Sequence, residues 1–163
     1  MTSWWSKFTN RMAVLKSIHG LQDLLLFIAI FAFATSTPLL LRLPLPWLAP
    51  FLQWISGRGK AGLMRRPSLS PEKAQQIATY MDGVIQLGRP LIRPGCLTRG
   101  LTQYYFLRRA GLDVALYFGT GQVDNAFAAH CWLVQNDEPF LEKTDPRQHF
   151  APIYAIPLEA LTS

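Results

Sequence analysis

The sequence predicts an α+β fold, with apolar helices at the N-terminus followed by two more helices and a small antiparallel sheet. Three observations predict it. Leu24 to Ala34 is apolar without a break, two segments after Ser70 keep a 3.6-residue apolar period, and after Gly111 the period becomes 2. A chain of 163 residues has room for one domain of ordinary size and an appended segment. The pattern divides it into an apolar helical segment over 1–56, a linker over 57–69 and a core over 70–163.

In the first 23 residues Trp4, Trp5, Lys7, Arg11 and Lys16 stand among apolar positions, as in a basic amphipathic helix. The run Leu24–Ala34 admits three readings. A signal peptide fits poorly, because the basic region before it is long and Asp23 abuts the apolar run. A membrane span needs about twenty apolar residues, and positive charge flanks this run on both sides. A core helix that ends near Thr37, ahead of Pro38, is preferred. Peripheral contact with a membrane through these N-terminal helices stays open. A Leu/Pro-rich piece then leads to Pro50, and Phe51 to Ile55 reads as a helical turn.

Gly57 to Pro67 is glycine-rich, basic and closed by proline, hence the linker. Ser70-Pro71-Glu72 starts a helix with a capping hydroxyl, proline in the first turn and an acid beside it. Ala74, Ile77, Ala78, Met81, Val84 and Ile85 carry its apolar face as far as Gly88. Cys96 opens the next helix, and Gly111 closes it as the glycine after the C-cap. Leu112 to Phe118 then reads as a strand, Gly119-Thr120-Gly121 as a loop, and His130 to Val134 as a second strand. After a turn at 136–139 comes a returning strand from Phe140 to Thr144. Phe150 to Ile156 is a last strand that Pro152 confines to an edge.

Composition narrows the function. An apolar fraction of 50% excludes a disordered chain. The net charge of +6 suits an acidic partner. With no Lys/Arg run longer than two and no aromatic–basic repeat, nucleic acid is not expected. Two cysteines without a CxxC or CxxH spacing offer neither a disulfide scaffold nor a zinc site. No cofactor or metal is expected, and the cysteine usage fits a reducing cytoplasm, with attachment to the inner membrane face open.

Catalytic potential converges on Cys96. A thiol at a helix start faces unpaired N–H groups and the positive end of the helix dipole, which favours the thiolate. Arg99, a turn away, is expected to add to this. A cysteine nucleophile needs a base and a group that orients the base. His130 is the candidate base, and Glu142 and Asp145 are the candidate acids. A four-residue turn at 136–139 sets His130 opposite Asp145, whereas a tighter or bulged turn brings Glu142 nearer. Cys131 alternates to the other face of its strand and is expected to be a buried structural thiol. Trp132 shares His130's face and is expected to pack beside the site.

The order of cysteine at a helix start, histidine on a strand and acid on the next strand resembles the transglutaminase-like branch of the papain-type enzymes. Three segments are closer still to the lasso-peptide B-type leader peptidases, the microcin-processing family. They are Cys96-Leu97-Thr98-Arg99-Gly100-Leu101, Phe106-Leu107-Arg108-Arg109-Ala110-Gly111 and Ala128-Ala129-His130-Cys131-Trp132-Leu133. The resemblance covers roughly residues 70–157, and it departs at Thr98, where proline is frequent, and at Cys131, where alanine is frequent. It implies a cysteine peptidase that cuts a ribosomally made precursor between leader and core. The implied partners are the precursor's leader, a separate leader-binding protein and a lasso cyclase. An amidase or acyltransferase on the same triad, or a non-catalytic membrane-associated scaffold, are the alternatives.

Overall fold

The computed structural model describes residues 20–58, 71–88, 92 and 95–161. Most of the linker expected over 57–69, the basic helix expected before Gly20 and the capping hydroxyl of Ser70 lie outside these residues. The order is α1 (Leu21–Leu40), α2 (Leu45–Gln53) running into a π turn (Trp54–Arg58), α3 (Pro71–Leu87) and α4 (Cys96–Arg109). There follow β1 (Ala115–Val123), β2 (Ala126–Gln135), β3 (Glu138–Phe140) and β4 (Phe150–Ile156), with 3-10 turns at Pro146–Gln148 and Leu158–Leu161. The four strands form one antiparallel sheet in the order β3-β2-β1-β4. The fold is α+β, as the sequence predicts.

The helix α1 does not stop at Thr37. It runs through Pro38 to Leu40, and the Leu41 N–H donates to Thr37 O at 2.9 Å, so the helical hydrogen bonding resumes past the proline. Thr35 Oγ1 donates to Ala32 O at 2.8 Å, and Ser36 Oγ and Thr37 Oγ1 both donate to Phe33 O. One flank of α1 is a core flank, where Ile30, Ala34 and Thr37 are fully buried. Phe33 stacks on Tyr105 with centroids 4.5 Å apart, and Gln76 Nε2 donates to Asp23 Oδ1 at 3.1 Å. The opposite flank is bare, so the expected core helix is a core helix on one side only. The Leu/Pro-rich piece is itself helical: Pro46 sits in the first turn of α2, where no N–H is required.

Ile30 and Ala34 of α1, Leu48 and Leu52 of α2, Met81 of α3 and Leu101 and Leu107 of α4 share one hydrophobic cluster with Leu116 and Leu133 of the sheet. The apolar N-terminal helices are thus packed into the same core as the sheet.

Three local readings change. The glycines at 119 and 121 do not form a loop; they lie inside β1, paired with His130 and Ala128 of β2. A Cβ on Gly119 would come within 2.7 Å of the Trp132 ring, and one on Gly121 would collide with the His149 carbonyl. Glycine here answers close approach of neighbours, as it often does within strands. The turn that ends β1 instead uses Asp124 and Asn125, both at positive φ. Strand β2 accordingly begins at Ala126, and His130 stands in its middle. The strand expected from Leu112 starts only at Ala115. The returning strand is short, since Leu141 at φ 60° leaves the sheet after Phe140.

Candidate active site

The site is built by three elements. Helix α4 begins at Cys96, with Gly95 as an extended N-cap. Gly100, one turn on, brings α4 down onto the sheet: a Cβ there would meet Leu116 Cδ1 at 2.9 Å and Cys131 Sγ at 3.1 Å. The β2 segment contributes His130 and Cys131. The hairpin after β2 contributes Glu142, and its turn decides which acid arrives.

That turn is tight. Asn136 and Asp137 both take positive φ, 50° and 63°, which is the two-residue hairpin geometry that Asn and Asp tolerate. Gln135 therefore pairs with Glu138, and Leu133 with Phe140. Together with the bend at Leu141, this register leaves Glu142 beside His130. Glu142 Oε2 lies 4.0 Å from His130 Nε2, with both side chains mostly buried. Asp145 is elsewhere. Its carboxylate is committed to Arg147, accepting from the Arg147 backbone N–H at 2.9 Å and from Nη2 at 2.8 Å. Arg147 also holds Glu138 at 2.7 Å. These contacts cap the 3-10 turn and hold the carboxyl of Asp145 below the usual range.

Of the four candidate residues, Cys96, His130 and Glu142 come together and Asp145 does not join them. Trp132 is 1% exposed and its ring is stacked on His130, with centroids 6.1 Å apart. Phe150 flanks the imidazole on β4 at 5.2 Å. Two rings thus limit how the imidazole can turn.

Cys131 is buried as expected, yet it also belongs to the site: the two sulfurs hydrogen-bond, and this contact leads the causes that lower the Cys96 thiol to about 5. Burial opposes the shift, and the backbone of Cys131 together with the side chain of His130 adds to it. Cys131 itself is pushed far up, first by the Cys96 contact and then by burial. The pair holds one proton between two sulfurs, and it rests on Cys131, the more buried of them. Sequence alternation put Cys131 on the face away from His130, and did not reveal that this face meets the start of α4.

Arg99 acts on a different target from the one expected. It donates to Leu141 O at 3.4 Å, lies 3.5 Å from Asp82 and lowers the carboxyl of Glu142, while the thiol is governed by Cys131 and His130. Burial outweighs this help and leaves the Glu142 carboxyl raised. Among the described residues no group of three or more His, Cys, Asp or Glu is arranged to hold a metal.

A helix-start thiolate, a strand imidazole and a carboxylate behind it form the arrangement of a papain-type nucleophile. A family model described as the transglutaminase-like superfamily matches residues 39–155, most of the chain. This protein belongs to the transglutaminase-like superfamily. The matched span of this transglutaminase-like chain begins within α1 and takes in α2, so the amino-terminal helices are partly inside the family's own region. Comparison with curated proteins and with solved structures gives no match.

Proposed function

We propose that this transglutaminase-like protein is a cysteine peptidase that removes the leader from a ribosomally synthesised precursor, as in lasso-peptide maturation. The observation that carries this reading is the meeting of Cys96, His130 and Glu142, in a chain whose Cys-Leu-Thr-Arg and Ala-His-Cys-Trp segments resemble the leader peptidases.

In this reading the Cys96 thiolate attacks the scissile carbonyl carbon. The resulting oxyanion is held by the helix-start N–H of Cys96, where the dipole favours negative charge. His130, holding the proton that Cys96 released, gives it to the leaving amine, whose departure leaves a thioester on Cys96. It then takes a proton from the water that hydrolyses the thioester and restores the thiolate. Glu142 orients the imidazole from behind; its present 4.0 Å separation shortens to a hydrogen bond as the site closes on substrate. Asp145 serves the hairpin through Arg147.

Recognition of the leader is delegated to a separate leader-binding protein, and the trimmed core passes to a lasso cyclase. A flexible precursor must be ordered in the cleft, and a partner that already holds the leader lowers that cost. The test is a cleavage time course on synthetic precursor, read by mass spectrometry with and without the leader-binding protein. Cleavage at one bond is expected, with the partner acting mainly through the apparent affinity for precursor, and none with Cys96→Ala. Full activity from this chain alone at low precursor concentration would sink delegated recognition. A product carrying an added amine in place of water would move the assignment to acyl transfer, and no cleavage in either mixture to a scaffold.

A further inference from the structure

The outer flank of α1 and the exposed side of α2 are unusual for a protein surface. On α1, Leu21, Leu24, Leu25 and Ile28 recur at helical spacing and are 42–73% exposed. On α2 and the turn after it, Trp47 is 73% and Trp54 71% exposed, seven residues apart, with Phe51 between them. Single exposed apolar residues are ordinary. A run of this kind on consecutive elements marks an interaction surface.

Charge identifies the partner. Residues 1–66 carry eight Lys/Arg and one acid, net +7, whereas residues 67–163 carry eight Lys/Arg and nine acids, net −1. The entire positive excess lies in the part of the chain that bears the apolar face. In sequence, Lys7, Arg11 and Lys16 precede α1, Arg42 stands between α1 and α2, and Lys60, Arg65 and Arg66 follow the turn that ends at Arg58. Apolar and indole side chains bounded by cations are what an anionic bilayer surface accepts: acyl chains take the Leu/Ile face, the indoles settle at headgroup depth, and cations meet lipid phosphates.

We propose that the exposed faces of α1 and α2 lie in the plane of an anionic membrane surface and hold the domain there. The twenty residues of α1 have enough length and apolarity to cross a bilayer. Its other flank argues for the in-plane seat. There Gln22 and Asp23 share a crevice with Lys73, Gln76 and Arg109 of α3 and α4, and Asp23 accepts a hydrogen bond from Gln76. A transverse α1 would abandon the core contacts of Ile30 and Ala34 or carry the polar groups of α3 and α4 packed on that flank toward hydrocarbon. An in-plane helix keeps both. This seat is independent of what Cys96 does.

The experiment is co-sedimentation of the full chain with vesicles of phosphatidylglycerol mixed into phosphatidylcholine, against phosphatidylcholine alone. Expected is binding about tenfold or more tighter to the anionic vesicles, weakened by salt and reversed by alkaline carbonate. Two variants, Trp47→Ser with Trp54→Ser, and Leu25→Gln with Ile28→Gln, are each expected to lose most of it. Their rate of Cys96 alkylation stays that of the parent protein, which shows the fold intact. Equal binding to both vesicle types, or full binding by both variants, would overturn the proposal. So would retention through carbonate, which means a spanning helix. Self-association without vesicles that the same substitutions abolish would assign the face to a second copy of the chain instead.

Discussion

Cys96 and Cys131 divide one task unequally. The sulfur at the helix start carries the charge, and the buried one donates a hydrogen bond to it. Removing the donor raises the cost of the thiolate. Cys131→Ala is therefore expected to move the acid limb of Cys96 alkylation upward from about 5, as read from iodoacetamide rates across pH. An unchanged limb would give the whole shift to His130 and the helix start. Glu142 and Asp145 separate in the same way. Glu142→Gln is expected to lower turnover by roughly 10²- to 10⁴-fold, the range for groups that orient a catalytic base, while Asp145→Asn stays close to the parent. The sign for stability is opposite. The Glu142 carboxyl is raised in the folded state above its ordinary 4.5, so the folded protein binds more protons and loses stability as pH rises through that window. At neutral pH Glu142→Gln is thus expected to unfold no lower than the parent in a thermal melt, even as activity falls.

At the scale of elements, the sequence was legible where a local rule decides. Pro71 and Glu72 stand in the first turn of α3, as read, and Gly111, at φ 100°, follows the end of α4. Cys96 at a helix start and His130 on a strand were likewise local. What eluded sequence reading depended on neighbours. Gly119 and Gly121 look like a loop until the Trp132 ring and the His149 carbonyl are seen against them. Asn136-Asp137 admits more than one turn, and only the register of β3 chooses Glu142. Pro38 reads as a stop, yet the Leu41 N–H still donates to Thr37 O beyond it. Gly100 tests how closely α4 must sit on β2. Alanine gains about 1 kcal/mol in helix propensity, but its methyl meets Leu116 and Cys131 at 2.9 and 3.1 Å, and overpacking typically costs about 1–3 kcal/mol. The clash wins. Gly100→Ala is expected to lower the melting temperature and slow Cys96 alkylation together; a stabilised protein with an unchanged thiol would mean the contact relaxes freely.

Over the whole molecule, charge and packing divide the chain in different places. All of the positive excess precedes residue 67, yet the hydrophobic cluster runs without interruption from Ile30 through Leu101 to Leu133. Packing, not charge, determines what unfolds as a unit, because apolar burial supplies most of the cohesion. Two independent domains would place separate cores on either side of the linker. One shared core makes the thiolate pocket depend on a helix more than sixty residues away in sequence. Ile30→Ala tests this, since Ile30 is fully buried and lies on α1, outside the three elements that build the site. Truncating such a side chain costs about 2–5 kcal/mol, or roughly 5–15 °C in a domain of this size. The expected outcome is one cooperative transition at lower temperature, in which loss of helical circular dichroism and exposure of Cys131 to alkylation coincide. An early transition of the amino-terminal helices alone, with Cys131 protected to the parent temperature, would establish two units joined only by the linker.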